Sequence, residues 1–209
     1  MYEYLLMTTI DFYHTHAKDF FSQTINVDMQ NVYQPFLERL PNGKQTILDV
    51  GCGSGRDSIF FADQGFDVTA IDGSQNLIDL AKQTDNRINW QCLTFDKIAN
   101  QNWQNRFTGI WACASLLHVP FEELPQILND SIGCLKPNGI LYASFKYGDS
   151  ERDKEGRFFC DINEERWQLV ELKLQSAEHL KIWQTIDNRV ARQEIWLNVL
   201  LQHMPTTID

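Results

Sequence analysis

The run Asp49-Val50-Gly51-Cys52-Gly53-Ser54-Gly55-Arg56 is the part of this sequence best suited to chemistry. Glycines at 51, 53 and 55 let the backbone pass close to a ligand, because no Cβ stands in the way. They follow a buried-strand pattern at residues 46–50 and precede a helical pattern at 56–64. That places the loop at the carboxyl end of a strand, where open α/β sheets take ligands. A tight strand-to-helix turn without a ligand is the plainer reading, but it needs fewer glycines.

The neighbours of the loop narrow the ligand. A dinucleotide site uses G-x-G-x-x-G with helix amides facing a pyrophosphate. Here the third glycine comes one residue early and Arg56 follows it. Asp49, two residues before Gly51, would repel a pyrophosphate and attract an ammonium group, such as the amino-acid end of S-adenosylmethionine (SAM). Asp72 closes the next apolar run, where its carboxylate can accept from both hydroxyls of a ribose. Asp72 and Ser74 are also good helix caps, and the reading adopted is Ser74 as cap and Asp72 as ribose ligand.

Three further groups bear on an acceptor. His118 follows the fourth predicted strand and is the candidate general base, its ordinary pKa lying near neutrality; a histidine packed and bonded within its loop is the alternative. Lys146, Arg152 and Arg157 follow the fifth strand and suit an anionic substrate, or are solvated loop charges. Tyr147, Phe158 and Phe159 form an aromatic wall or cover the core.

These residues need a frame. Apolar spacing predicts helices at 10–21 and 30–40, the second with Pro35 as a candidate interruption. Strands are predicted at 46–50, 67–72, 88–93, 107–114 and 140–146, alternating with helices at 56–64, 75–83 and 122–135. That alternation implies a doubly wound parallel α/β sheet, Rossmann-like, covered on both faces. Residues 148–156 read as a polar surface loop, 163–174 as a helix, and 179–185 and 193–201 as a closing strand pair. One domain is expected over 1–209, with 1–44 capping the cofactor, 45–146 binding it and 147–209 on the substrate side.

Composition sets limits. The formal charge is −10, from 18 Lys plus Arg against 28 Asp plus Glu, so nucleic acid is not expected as a partner. The five cysteines have no zinc-ligand spacing, so no metal is expected, and their apolar neighbours suit a reducing compartment. No apolar stretch approaches a membrane span and no basic leader precedes the first apolar residues, so a cytoplasmic protein is expected. Met7 offers a second translation start. Oligomeric state is not readable.

The run Ile47 through Asp57 resembles motif I of the class I SAM-dependent methyltransferases. The likeness continues through Asp72-Gly73-Ser74, Trp111 to Pro120, and Leu135-Lys136-Pro137-Asn138-Gly139, in the family's order and spacing. Within the family the chain looks like the small bacterial enzymes of the tellurite-resistance type. The resemblance implies seven strands in the order 3-2-1-4-5-7-6, strand 7 antiparallel, and SAM as methyl donor with S-adenosylhomocysteine (SAH) as product. It implies Asp49, Gly51, Cys52, Gly53, Gly55 and Arg56 at the methionine portion, and Asp72 with Gly73 and Ser74 at the ribose. Thr94 and Phe95 would lie along the adenine, Cys113 and Ala114 on the methionine side, and Tyr13 would close over the cofactor. The chain departs from the family pattern at Thr108, usually Asp, at Asn138, usually Gly, and after the third strand, where the nearest acid is Asp96.

Methyl transfer from a sulfonium is an in-line displacement, for which proximity alone supplies about 7–11 kcal/mol. A base is needed only where the acceptor must lose a proton. The expected function is methyl transfer to a small molecule, with a non-catalytic SAM-binding protein and an NAD-dependent oxidoreductase as alternatives.

Overall fold

Along each central strand, neighbouring residues enter different cores. Ile47, Val68, Trp111 and Tyr142 point to one face, while Leu48, Ile110 and Leu141 point to the other. A strand alternates its side chains between faces, so burial on both requires an unbroken apolar run, as the sequence has. In the computed structural model, which describes residues 2–189 and 192–204, these runs form a seven-stranded sheet.

Three helices come first: α1 (Tyr2–Thr15), α2 (Ala17–Thr24) and α3 (Gln30–Leu37). Then β1 (Thr46–Val50), α4 (Arg56–Asp63), β2 (Asp67–Asp72), α5 (Gln75–Thr84), β3 (Asn89–Cys92) and β4 (Phe107–Ala112) alternate. After α6 (Leu124–Ile132) and β5 (Leu135–Lys146) come β6 (Glu151–Lys154), β7 (Arg157–Cys160), α7 (Glu164–Glu171), β8 (Ala177–Ile186) and β9 (Ile195–His203). The order in the large sheet is β3-β2-β1-β4-β5-β9-β8, and β9 runs antiparallel to β5. This is the expected Rossmann-like order, with the β6–β7 hairpin as an addition outside it.

Local chemistry accounts for the elements and for the differences from expectation. Ser74 caps α5, its Oγ accepting from the Leu77 amide at 3.4 Å, as read from the sequence. Residues 10–21 divide between two helices at His16, and the bend sets Tyr13 edge-on to Phe20 at 5.0 Å. Pro35 is carried inside α3, which ends two residues later at Leu37. The polar stretch 148–156 is not a plain surface loop. Its second half pairs with residues 157–160 and turns at Glu155-Gly156, both with positive φ. Its charges alternate around this narrow ribbon, which hid the period-2 pattern. A 3-10 turn at Phe95–Asn100 also went unread.

Two of the sequence departures lie away from the loop. Thr108 Oγ1 accepts from the Thr46 amide at 2.8 Å, tying β4 to the start of β1. Asn138 takes φ 63°, which Asn tolerates.

Packing is close where α3 meets the sheet. A Cβ at Gly109 would lie 2.6 Å from Phe36 Cζ and 2.8 Å from Ile47 Cδ1, and Phe36 is wholly buried. Gly109→Val is therefore expected to cost about 1–3 kcal/mol by overpacking, read as a lower urea midpoint at unchanged m-value.

Candidate active site

The glycine loop turns at the carboxyl end of β1 by visiting the left-handed region three times, with φ of 76°, 54° and 80° at Gly51, Gly53 and Gly55. Each lacks a Cβ for its own reason. At Gly51 a Cβ would fall 2.4 Å from Ser115 Cβ, and at Gly53 3.0 Å from Phe20. At Gly55 it would fall 2.6 Å from Trp90, so this glycine serves helix packing, and the residue lines neither of the cavities below.

Two cavities meet at the loop. The smaller, about 70 Å³, is lined by Asp72, Gly73, Thr94, Phe95 and Ser115, with Ile10 above. The larger, about 420 Å³, is lined by Cys52, Arg56, Asp57, Cys113, Lys146 and Arg157 among others. Tyr13, Phe20, Gly51, Gly53, Ala114 and His118 line both. The bend between α1 and α2 and the hairpin thus close over the same opening.

Asp72 accepts from the Gly53 amide at 3.0 Å and the Ser74 amide at 2.8 Å, holding the loop against the end of β2, and burial raises its pKa. Each carboxylate oxygen keeps a further lone pair. Ser74 itself is turned into its helix cap and lines neither cavity. Ser115 Oγ is buried without a hydrogen-bond partner among the described residues, at the wall of the small cavity. An orphan buried hydroxyl costs about 1–3 kcal/mol until a ligand meets it. Asp96 is bonded to Thr94 Oγ1 at 2.5 Å and lines neither cavity.

The acids near Arg56 divide their roles. Asp49 lies beneath the loop, 2% exposed, accepting from Ser58 Oγ at 2.5 Å, and lines neither cavity. Burial and neighbouring Asp57 push its pKa up. The carboxylate that the large cavity sees is Asp57, which accepts from Arg56 Nε (2.6 Å), Tyr33 Oη (2.6 Å) and Trp111 Nε1 (2.8 Å). Burial opposes its charge, but these donors, Arg56 foremost, hold its pKa below the usual range. Sequence reading gave Asp57 no role; the signal was an acid one helical turn before Phe61, on the face of α4 that packs against the sheet. Ser144, a hydroxyl inside the apolar run of β5, was a similar signal. Its Oγ accepts from the Ala114 amide at 2.9 Å and holds Ala114 at φ 53°, an uncommon conformation for a residue with a Cβ.

His118 is 6% exposed and bonded at both nitrogens. Nδ1 lies 2.6 Å from the Phe158 carbonyl, which can only accept, so Nδ1 carries the proton. Nε2 then accepts from Tyr13 Oη at 3.0 Å. Burial, with Arg157 and Lys146 nearby, pushes its pKa down to about 4. Tyr13 is pushed up by burial, and Arg157 counters this. Lys146 Nζ stands 4.7 Å over the Phe159 ring, and the Arg157 guanidinium lies 4.2 Å over Phe12. Both line the large cavity with Cys113 and Ala114, while Tyr147 and Arg152 do not.

A family model described as a methyltransferase domain matches residues 47–139, from β1 through the turn inside β5. The ubiquinone biosynthesis O-methyltransferase of Rickettsia typhi is 34% identical over 106 residues, 48% of this chain and 41% of that protein. Over residues 47–139 the chain is thus similar to methyltransferase domains. The chain spans less than half the length of that relative. Among solved structures, a methyltransferase of Burkholderia thailandensis, with 1,6-didemethyltoxoflavin and SAH bound, superposes on this chain. Its TM-score is 0.76 at 17% identity, covering 98% of this chain and 91% of that one. The cyclase SpnF matches with a TM-score of 0.65 at 17% identity over 83% of this chain and 80% of that one. The frame is therefore shared by different chemistries, and the site has to carry the functional argument. Among the described residues, no helix is long and apolar enough to cross a membrane, and no group of three or more His, Cys, Asp or Glu is placed to hold a metal ion.

The state of His118 has a measurable consequence. The unfolded chain protonates it near 6.5 and the fold only near 4, so between these values the unfolded state binds more protons. Its contribution to stability therefore falls as pH drops through this window, by about 2 kcal/mol at pH 5. Urea unfolding of wild type and His118→Gln at pH 7.5 and pH 5 is expected to show this difference, with the wild type losing more.

Proposed function

We propose that this chain is a SAM-dependent methyltransferase acting on a small molecule. The observation that carries the reading is the pair of joined cavities, one ending on Asp72 and the other on Arg56, with the glycine loop as their shared floor. A nucleoside attached to a short charged tail has that shape, and the volume beyond the tail is left for an acceptor.

The residues fit such a cofactor. At Gly51 and Gly53 a Cβ would strike Ser115 and Phe20, so the glycines let these cavity walls sit close to the loop, and Ser115 Oγ waits for a polar partner. Asp72 would take the ribose hydroxyls beside Gly73, with Thr94 and Phe95 along the adenine. Cys52, Cys113 and Ala114 would flank the methionine portion. Arg56, engaged with Asp57 through Nε and Nη2, retains Nη1 for the carboxylate. Asp49 would act from below, by holding α4 to β1 through Ser58, rather than by meeting the ammonium. Asp57, which lines the cavity, already accepts four bonds from Arg56, Tyr33 and Trp111, and would act by aiming the Arg56 guanidinium.

When bound, the cofactor supplies an electrophilic methyl carbon on a sulfonium. The chain's own part is to exclude water, to align the acceptor and to accept its proton. Phe20 and Tyr13 close the opening where the cavities join. His118 Nε2 is an unprotonated acceptor at that point, reached through the Tyr13 hydroxyl, so the pair would relay a proton from the acceptor.

Titration with SAH tests the cofactor assignment. Asp72→Ala is expected to weaken binding by more than about tenfold, since two charge-assisted bonds to the ribose are lost. Methyl-labelled SAM offered with pools of small metabolites should yield labelled product, and His118→Ala should lower kcat at little-changed SAH affinity. SAH binding without label transfer to any pool would leave only a binding protein, and NAD displacing SAH would overturn the assignment.

A further inference from the structure

The chain is strongly acidic as a whole, yet its large cavity is not. Six basic residues line it, Arg56, Lys146, Lys154, Arg157, Arg189 and Arg192, against four acids, Asp57, Glu155, Asp187 and Glu194. Three of those acids are already committed: Asp57 to Arg56, Asp187 to Arg189 and Glu155 to Arg157. In a protein with a net charge of −10, a cavity with cations left over is a local reversal.

The excess is focused beside His118. Lys146 is partly buried on β5 and makes no ion pair or side-chain hydrogen bond among the described residues; burial lowers its pKa, and Glu194 supports its charge only from beyond ion-pair distance. Arg157, on β7, bonds Glu155 through Nη2 at 2.9 Å, while its buried Nε has no partner. Between them stands Phe159, whose ring lies 4.7 Å from Lys146 Nζ, 5.3 Å from the Arg157 guanidinium carbon and 5.0 Å from the His118 ring. Two donors without acceptors, one of them buried, flank an aromatic face at the proton acceptor.

We infer that the methyl acceptor is a small planar organic anion, its ring lying against Phe159 and its carboxylate held by Lys146 and Arg157. The inference rests on the methyltransferase reading above and adds the substrate class. It also gives His118 a condition for acting. Arg157 and Lys146 are among the groups that hold its pKa down, so a carboxylate between them offsets that field and makes Nε2 a better base when substrate is present.

The test uses the full chain loaded with SAH. Calorimetric titration with 4-hydroxybenzoate and with its neutral carboxamide, and with the 3,4-dihydroxy pair, is expected to show each carboxylate bound about tenfold or more tightly than its amide. Lys146→Met should abolish most of that preference while SAH still binds. Lys146→Glu should reverse it in favour of 4-hydroxybenzylamine, which a merely structural lysine would not do. Bound 4-hydroxybenzoate should also raise the His118 pKa followed by NMR, and the amide should not. Equal binding of acid and amide, tighter binding of the amide, or no binding of either to the SAH-loaded chain would overturn this inference alone. Failure to bind SAH would overturn the cofactor reading and this inference with it.

Discussion

A carboxylate removed from water needs donors for its lone pairs, and Asp57 gathers them from three elements. Tyr33 comes from α3, Trp111 from β4 and the Arg56 guanidinium from the start of α4. Unpaired, such a charge would cost several kcal/mol, so these elements have little freedom to move apart. The network seats the third helix on the sheet and aims Arg56 at the cavity. It also explains Asp49. Two neighbouring buried acids do not both ionise readily, and the one with a guanidinium keeps the charge while the other bonds a serine.

From that fixed point the site divides by chemistry. On the nucleoside side, polar demand is met by backbone amides and small residues, leaving a narrow slot with Asp72 at one end. On the acceptor side, charge dominates, carried by β5, by the hairpin and by the turn after β8. That turn is tied back to the N-terminal segment, where Asn188 Nδ2 donates to the Asp28 carbonyl at 2.8 Å. His118 and Tyr13 stand where the two halves join, and their hydrogen bonds set which nitrogen carries the proton.

Much of this was legible in the residues. The doubly wound parallel sheet followed from alternating apolar runs and its strand order from the family resemblance, while the loop, Ser74 and His118 were placed by spacing. What escaped has physical reasons. Asp49 read as the partner of an ammonium group because sequence spacing gives position along a strand but not depth, and the loop folds over it. Gly55 read as part of the cradle, although its missing Cβ makes room for Trp90. Asp57, Ser115 and Ser144 were passed over because a buried polar residue gains meaning only when its distant partner, or its lack of one, is known. The hairpin was lost because both faces of its first strand carry charge, so no alternation marked it.

The hairpin pairs only with itself, as a two-stranded sheet apart from the other seven strands. A change at Lys154, Glu155, Arg157 or Phe159 therefore alters the lining of the large cavity without breaking any strand pairing of the main sheet. The residues proposed to hold the cofactor, by contrast, sit in the loops and strand ends that build that sheet. Inheritance can thus act on the two separately: the glycine loop and Lys146, on β5, change only at the expense of the sheet, while the hairpin's share of the lining is outside that constraint. Under the proposed function, a lineage of such chains would keep one methyl source and vary what it methylates through the ribbon.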